Sequence, residues 1–350
     1  MTVRLAALAA ASFLALAAPV AHARTAQVSL AHACVEGSGD AEAAAHLLAQ
    51  RLTERGLTGQ GGCRLTIRLD ATSGLGEGYR IRREGHGFMV SASQRRGYVY
   101  AAGWLLSHLH GAMLDWNEPV DEHPALAVRG DQIGIRAKNN SFDAWTPAML
   151  ARHVDDLALM GANRIQLVGP VSDDAGASPL APVPAMDAIL ATAREAKALG
   201  LEVALYQPLL RDYAKPGADA AELATFTDLI DRFPALDAVY FPGGDPGNTH
   251  PDILFPLLAK LAVPLRARFP KAELLVSTQG FDEAGFLAFV AQIRKRPSWL
   301  SAVFVGPQTR GSIARHRELI DPYYPLELYP TPRTPCTRNC RSSAGRQCSR

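Results

Sequence analysis

Residues 164–206, RIQLVGPVSDDAGASPLAPVPAMDAILATAREAKALGLEVALY, contain one complete strand–helix–strand repeat, and this repeat decides the fold of most of the chain. Residues 164–168 and 203–206 are the two strand candidates. Residues 184–199 place apolar side chains at helical spacing and end at Gly200, a residue type that commonly follows a helix. A strand, a helix and a second strand in this order are typical of a parallel βαβ unit.

The same alternation continues from Pro124 to Pro330. Strand candidates begin about every 25–40 residues, a spacing typical of a parallel barrel or a doubly wound sheet. Seven are found, at residues 128–136, 164–168, 203–206, 238–241, 274–277, 302–305 and 326–329. The predicted helices between them begin after Thr146 and cover residues 147–160, 184–199, 219–233, 251–269 and 283–296. A (β/α)8 barrel usually takes about 250 residues, and an eighth strand is missing. We therefore predict an α/β fold with a (β/α)8 TIM-type barrel over residues 124–330, incomplete at its C-terminal end.

Residues 24–123 form a different pattern, which predicts a smaller α/β domain. Residues 40–55 and 96–109 have the apolar spacing of amphipathic helices. Residues 64–69 alternate apolar and polar side chains, as a half-buried strand does. Residues 79–83 and 88–93 flank Gly85-His86-Gly87, which predicts a hairpin. The polar residues of this part form no recognisable catalytic set, so we interpret the domain as structural.

The two ends of the chain differ from both domains. Residues 1–23 combine one arginine, an apolar run and the A-x-A site at Ala21–Ala23, which predicts a secretory signal peptide and a periplasmic or secreted protein. An uncleaved anchor is the alternative. Residues 331–350 are basic, contain three of the five cysteines and have almost no apolar residues. Either a disordered basic tail or a shifted reading frame explains them.

Composition and cysteine usage narrow the possible partners. Hydrophobic residues make up 48% of the 350 residues. The formal net charge is only +2, so it does not predict a positively charged surface that binds nucleic acid or anionic lipid. No segment after the signal is apolar enough to predict a membrane span. Export permits disulfides, and Cys34 and Cys63 could pair, although spacing alone does not decide the geometry. We predict no metal and no cofactor, and the oligomeric state is left open.

Candidate site residues are those that follow predicted strands, because reactive groups of such barrels lie on the loops after the strand C-termini. The chain lacks a nucleophilic Ser or Cys motif, a Rossmann fingerprint and a Walker loop. The loops instead carry carboxylates, amides and aromatic rings, which suit a sugar with paired hydroxyls and a flat ring face. The candidate substrate-binding residues are Arg136, Asn140, Asp143, Trp145, Asp174, Tyr206, Gln207, His250, Gln279 and Gln308. We expect a sugar-sized hollow that gathers Asp245, Gln207, Gln279 and Trp145.

Asp245 is the candidate catalytic acid/base. It follows the strand at 238–241, and the glycines at 243, 244 and 247 would let the backbone approach a ligand. Capping of the helix that begins near Pro251, or ordering of a tight turn, is the alternative role of Asp245. Cleavage of a glycosidic bond needs two carboxyl groups, and the pair Asp173-Asp174 is either the source of the second one or a solvated loop.

Other roles for these loops are weighed in the same way. Asn140 and Asp143 either bind substrate or cap the helix after Thr146. Gly243-Gly244 is a poor phosphate cradle because no lysine follows it, and Asp245 with His250 makes a poor metal site.

Two groups of segments resemble known carbohydrate-active proteins. Residues 78–81 and 96–103 resemble the N-terminal domain of β-N-acetylhexosaminidases of glycoside hydrolase family 20 and of α-glucuronidases. Residues 129–145, 241–247 and 276–281 resemble secreted bacterial glycoside-hydrolase-like proteins with the same domain order. The resemblance implies an exported enzyme that hydrolyses glycosidic bonds of a poly- or oligosaccharide.

The chain departs from this resemblance at two places. Hexosaminidases carry an adjacent Asp-Glu pair after barrel strand four, in which the Asp orients the acetamido group and the Glu is the acid. Here Asp245 is followed by Pro246, so substrate-assisted cleavage of N-acetylhexosaminides is not implied. The similar proteins also continue through an Asp and a His at strand seven, where this chain diverges. A non-catalytic carbohydrate-binding protein or an inactive truncated barrel is therefore the alternative.

Overall fold

The computed structural model describes residues 26–58, 62–116, 119–137, 141–171, 178–306 and 308–329. The predicted signal peptide and the C-terminal tail lie outside the described residues. The helices in the described ranges do not combine the length and the apolar character that crossing a membrane requires.

The smaller domain is built from two sheets and two helices. Its strands are β1 (Ala26–Ser29), β2 (Ala33–Gly37), β3 (Leu65–Ala71), β4 (Tyr79–Glu84), β5 (Gly87–Ala92), β6 (Leu109–His110), β7 (Met113–Trp116) and β8 (Val120–Glu122). Its helices are α1 (Glu42–Glu54) and α2 (Arg95–Ser107). The larger sheet has the order β2-β3-β5-β4-β8, and β1-β7-β6 form a small antiparallel sheet.

The local sequence explains these elements. Leu65, Ile67 and Leu69 alternate along β3 and are buried, as the predicted period of two requires. β4 and β5 pair as an antiparallel hairpin, and Gly85 at its turn has a φ of +56°, a conformation in which glycine carries no steric penalty. Cys34 and Cys63 form a disulfide with a Cα–Cα distance of 5.4 Å, which confirms the possible pairing.

The second domain is a parallel sheet with helices between its strands. The strands are β9 (Gly130–Gly134), β10 (Arg164–Val168), β11 (Glu202–Tyr206), β12 (Ala238–Phe241), β13 (Glu273–Ser277), β14 (Ala302–Val305) and β15 (Leu326–Leu328), in consecutive order from β15 to β9. The helices are α3 (Pro147–Leu159), α4 (Ala185–Ala198), α5 (Ala218–Asp231), α6 (Pro251–Arg268), α7 (Glu283–Arg294) and α8 (Ile313–Leu319). α8 is not among the predicted helices, and the first predicted strand, at 128–136, extends beyond both ends of β9.

The seven-stranded sheet is strongly curled. Arg164 on β10 donates from Nη1 to Glu327 Oε1 on β15 at 3.0 Å, and Gln166 hydrogen-bonds Tyr329 just beyond β15. Four strands lie between β10 and β15, so a flat sheet would hold them roughly 24 Å apart. The curl confirms a TIM-like domain, and the described residues supply seven of the eight strands that a closed barrel needs.

The interior of this sheet is filled with side chains. Tyr240 lies at its centre, with ring centroids 5.2 Å from Phe304 and 6.0 Å from Tyr329. At the amino end, the Arg164 guanidinium contacts Glu202, Glu273 and Glu327 at 2.7, 2.9 and 3.0 Å. The interior is therefore packed, and this ion cluster closes its amino end.

The two domains are in direct contact. α2 crosses α3 so closely that a Cβ at Gly103 would lie 1.8 Å from the carbonyl oxygen of Leu159. Polar contacts continue beside this crossing, where Tyr100 donates to the carbonyl of Ala162 at 3.1 Å. Close backbone packing and buried polar bonds of this kind hold two layers in one orientation.

Candidate active site

The loops after β12 and β13 meet at the carboxyl edge of the curled sheet. The Gly244 N–H donates to the carbonyl of Gln279 at 2.9 Å. Gly243 has a φ of +73°, and a Cβ there would lie 2.1 Å from the carbonyl oxygen of Ser277. The glycines at 243, 244 and 247 are predicted to let the backbone approach a ligand. In the structure Gly243 and Gly244 allow the close approach of the neighbouring loop.

Asp245 lies where these two loops meet. The Gln279 Nε2 amide donates to Asp245 Oδ2 at 2.7 Å. The Tyr206 hydroxyl, at the end of β11, is 3.5 Å from the other side-chain atom of that amide, Gln279 Oε1. Gln279 is buried, while Asp245 and Tyr206 are half-buried. Three residues that the sequence places after three different strands are therefore brought together.

The arrangement fixes the chemical character of the carboxylate. An amide N–H that donates to a carboxylate oxygen stabilises the ionised form of the acid. The Tyr206 hydroxyl beside Oε1 is consistent with the amide orientation that turns Nε2 toward Asp245. Asp245 is thus arranged to accept a proton or to face a developing positive charge.

Asp245 does not cap the following helix. His250 occupies the N-cap of α6, and its Nδ1 accepts from the backbone N–H of Asp252 at 3.3 Å. The capping alternative for Asp245 is therefore wrong, and His250 has the role that this alternative gave to Asp245. The imidazole of His250 is exposed.

Trp145 and Asp143 follow β9, which is an edge strand of the sheet and lies three strands from β12. The Trp145 ring packs edge-on against Phe142 at 4.7 Å and His153 at 5.5 Å. Thr146 caps α3 by accepting from the Met149 N–H at 3.3 Å, so the alternative that Asp143 caps this helix is wrong.

The remaining candidates are placed as follows. The Arg136 N–H donates to Ser141 Oγ at 2.9 Å, and the Arg136 Nε is buried without a partner among the described residues. The Gln207 side chain is buried and donates to the carbonyl of Pro208 at 3.3 Å. Gln308 is exposed, with a φ of +61°, and its carbonyl accepts from the Gly280 N–H at 3.3 Å. Asn140 and Asp174, with its neighbour Asp173, lie outside the described residues.

Two buried residues behind this edge are not among the predicted site residues. Thr278 Oγ1 is 2.8 Å from His316 Nε2, and both side chains are fully buried. His316 lies on α8, which was not predicted, so no sequence pattern indicated its contact with Thr278. A threonine directly before a site glutamine was the only available signal.

A separate cleft of about 650 Å³ lies between the two domains. Its walls include Trp104 and the exposed Met160, and its charged groups largely neutralise one another. Arg51 contacts Asp156 at 2.9 Å and Arg152 pairs with Glu54 at 2.5 Å. Within the described ranges, no group of three or more His, Cys, Asp or Glu side chains is arranged to hold a metal ion.

Comparisons with known proteins locate the fold. No family model and no curated protein matches the chain. Among solved structures, the chain is similar to a family 20 exo-β-N-acetylglucosaminidase from Vibrio harveyi, with a TM-score of 0.59 and 12% identity over 86% of this chain and 57% of that one. It is thus similar to little more than half of the Vibrio chain.

Two streptomycete enzymes are similar in the same way. The family 20 β-N-acetylhexosaminidase of Streptomyces coelicolor A3(2) gives a TM-score of 0.58 and 13% identity over 81% of this chain and 72% of that one. The β-hexosaminidase of Streptomyces plicatus gives 0.60 and 13% over 80% and 71%. At these identities the likeness shows a fold like that of family 20 enzymes.

Proposed function

We propose that this protein is an exported carbohydrate-active enzyme that hydrolyses a glycosidic bond of an oligo- or polysaccharide at the carboxyl edge of its curled sheet. The observation that carries the proposal is the contact of Asp245 with Gln279, next to Tyr206. A carboxylate, an amide and an aromatic hydroxyl together suit a sugar ring with its hydroxyl groups. The fold shared with family 20 glycosidases supports the same class of substrate.

Asp245 acts as the acid/base of this reaction. With Gln279 donating to Oδ2, the carboxylate is placed to act as the base that takes a proton from the attacking water, while the second carboxyl group, as the acid, gives its proton to the oxygen of the leaving sugar. The half-buried position keeps the carboxylate accessible to substrate. Arg136, Asn140, Trp145 and Gln207 are assigned to sugar binding from their places after β9 and β11.

The second carboxyl group comes from a neighbouring loop. Asp174 follows β10 and Asp143 follows β9. In the order of the sheet, β10 and β9 are the second and third strands from β12, on the side away from β13. A separation from Asp245 of about 5–5.5 Å would give retention of configuration, and about 6.5–9.5 Å would give inversion.

Sugar binding without hydrolysis is the second candidate. The observation that favours it is Pro246, which stands where family 20 hexosaminidases have the acidic partner of the Asp. A proline supplies neither a proton nor a charge, so a chain without another competent carboxyl would bind a saccharide and leave it intact.

The deciding experiment screens the full-length protein on aryl glycosides and aryl uronides. For a substrate that is turned over, we expect Asp245→Asn to lower kcat by about 10²-fold or more. Asp252→Asn is the matched control, because Asp252 is an exposed acid at the start of α6, and it should keep full turnover. An Asp245→Asn protein with wild-type kcat would remove the catalytic assignment.

The two candidates give different results in this screen. A protein that releases no aryl group but binds a saccharide in calorimetry, more weakly after Asp245→Asn, is a binding protein.

N-terminal sequencing of exported protein tests the signal peptide, with a mature chain starting at Arg24 as the expected result.

A further inference from the structure

The loop after β13 is held from two sides by consecutive residues. Gln279 contacts Asp245 through its side-chain amide, and Thr278 contacts His316 through its hydroxyl. Neighbouring side chains of an extended chain point in opposite directions. Any movement of Thr278 toward or away from α8 therefore also moves the backbone that carries Gln279.

The His316 imidazole has a defined tautomer. Its Nδ1 is 3.0 Å from the carbonyl oxygen of Ser312, and a carbonyl only accepts hydrogen bonds. Nδ1 therefore carries the hydrogen, and Nε2 accepts from the Thr278 hydroxyl. Burial lowers the pKa of His316, and the Arg315 charge acts in the same direction, whereas the bond to Ser312 opposes it. The neutral ring keeps this hydrogen-bond direction.

Helix α8 gives His316 a fixed position. Ser312 caps the helix by accepting from the Arg315 N–H at 3.2 Å. Arg315 pairs with Glu283 on α7 through Nη1 and Oε2 at 3.0 Å. The Phe286 ring of α7 packs edge-on against the imidazole at 5.2 Å. α7 and α8 are thereby tied together around His316.

The loop itself has little room to adjust. A Cβ at Gly280 would lie 2.9 Å from the backbone nitrogen of Asp245. The Gln279 N–H donates to Ser277 Oγ at 3.1 Å, and Gln279 pairs with Thr309 in an isolated β-bridge. A small displacement at Thr278 would therefore reach the Gln279 side chain.

We propose that Thr278 and His316 are positioning residues that hold the Gln279 amide against Asp245. The inference rests on the proposed function for its catalytic consequence, but the positioning itself is a property of the folded chain. His316 acts through Thr278, and Thr278 acts through the backbone of Gln279, so neither contacts substrate.

The test uses Thr278→Val, which keeps the shape and removes the hydroxyl, and Thr278→Ser, which keeps the hydroxyl. In the full-length protein with ¹⁵N-labelled glutamine, the Gln279 side-chain amide signals are assigned by their loss in Gln279→Met. We expect Thr278→Val to move these signals toward those of the exposed Gln308, and Thr278→Ser to leave them in place.

His316→Phe removes the Nε2 atom that accepts from the Thr278 hydroxyl. It should therefore shift the Gln279 side-chain amide signals as Thr278→Val does. This variant also serves where Thr278→Val does not fold. Unchanged Gln279 signals in a folded Thr278→Val or His316→Phe protein would overturn the proposal.

Kinetics supply a second readout. On an aryl glycoside that the wild type turns over, we expect Thr278→Val to lower kcat by about 10-fold with KM nearly unchanged, and Thr278→Ser to restore kcat. A uniform loss in proportion to unfolded protein would show a merely structural role. If the wild type turns over no substrate, the proposed function fails while the amide signals still decide the positioning.

Discussion

Gln279 shows how one residue determines the character of a site. Its amide offers a donor to Asp245 Oδ2 and an acceptor toward the Tyr206 hydroxyl, so one side chain that follows β13 contacts a residue of β11 and a residue of the loop after β12. An amide of this length satisfies both contacts without bringing a charge next to the carboxylate.

Replacing Gln279 with Leu is therefore expected to lower kcat on a turned-over aryl glycoside by about 10-fold to 10²-fold, because the carboxylate loses the amide that donates to Oδ2. Gln50→Leu is the matched control, since Gln50 is an exposed glutamine on α1 of the smaller domain. Steady-state kinetics on both variants check the prediction, and an equal loss in both would count against it.

Asp155 on α3 gives the fold a defined pH dependence. Burial raises the pKa of Asp155 to about 7, and the neighbouring carboxylates of Glu195 and Asp156 act in the same direction. A carboxyl whose pKa is raised on folding stabilises the protein most below its ordinary pKa of about 4. This contribution is lost as pH rises through about 7.

We expect Asp155→Asn to remove this loss. The melting temperature of the wild type should fall between pH 5 and pH 8 more steeply than that of the variant, because asparagine does not ionise. Asp228→Asn, at an exposed position on α5, is the control. Parallel melting curves for the wild type and Asp155→Asn across this range would contradict the argument.

The elements of the barrel domain show what sequence periodicity predicts well. The strands at 164–168, 238–241 and 302–305 are found with their predicted ends, because each is a short run of buried residues bounded by residues that stop strands. α8 was missed because it is short and mostly polar, so no apolar stripe marks it.

The same reasoning separates the predictable and unpredictable parts of the site. Asp245 and Gln279 follow neighbouring parallel strands, and their contact agrees with the expectation that both lie at one edge. Thr278 and His316 are far apart in the sequence, and His316 lies on a helix that was not predicted. Residue spacing therefore does not predict their contact. The packing of Trp145 on Phe142 and His153 likewise depends on tertiary contacts.

The crossing of α2 and α3 gives a prediction for Gly103→Ala. In most helix interiors this change stabilises by about 1 kcal/mol. Here the added Cβ would lie 1.8 Å from the Leu159 carbonyl oxygen, so we expect destabilisation by about 2 kcal/mol or more. Urea unfolding measures it, and a stabilised variant would show that the two helices move apart at little cost.

At the scale of the whole molecule, Arg164 connects the strands of the curled sheet. Its guanidinium contacts carboxylates on β11, β13 and β15 and the Tyr240 hydroxyl of β12. Burial raises the pKa of Glu327, although the charge of Arg164 opposes this shift. Three carboxylates converge on this one cation at the amino end of the sheet.

Arg164→Met leaves these carboxylates without their cation. We expect a loss of about 3–5 kcal/mol in the free energy of unfolding at pH 7, and a smaller loss at pH 5 because the raised pKa of Glu327 favours protonation. Arg268→Met is the control, since Arg268 and Asp231 are exposed and 3.8 Å apart, and about 1 kcal/mol or less is expected. Equal losses in both variants would show that the cluster contributes little.

The polar contacts at the amino end also run into the smaller domain. Arg96 on α2 pairs with Glu77 at 3.1 Å and reaches Glu202 at 3.7 Å, and Glu202 in turn holds Arg164. If the barrel domain were expressed by itself, Glu202 would lose its contact with Arg96, and the surface of α3 that packs against Gly103 would be exposed to solvent. Separating the two domains would consequently destabilise the sheet whose carboxyl edge carries Asp245. In limited proteolysis, we expect the two domains to be degraded together and not one after the other.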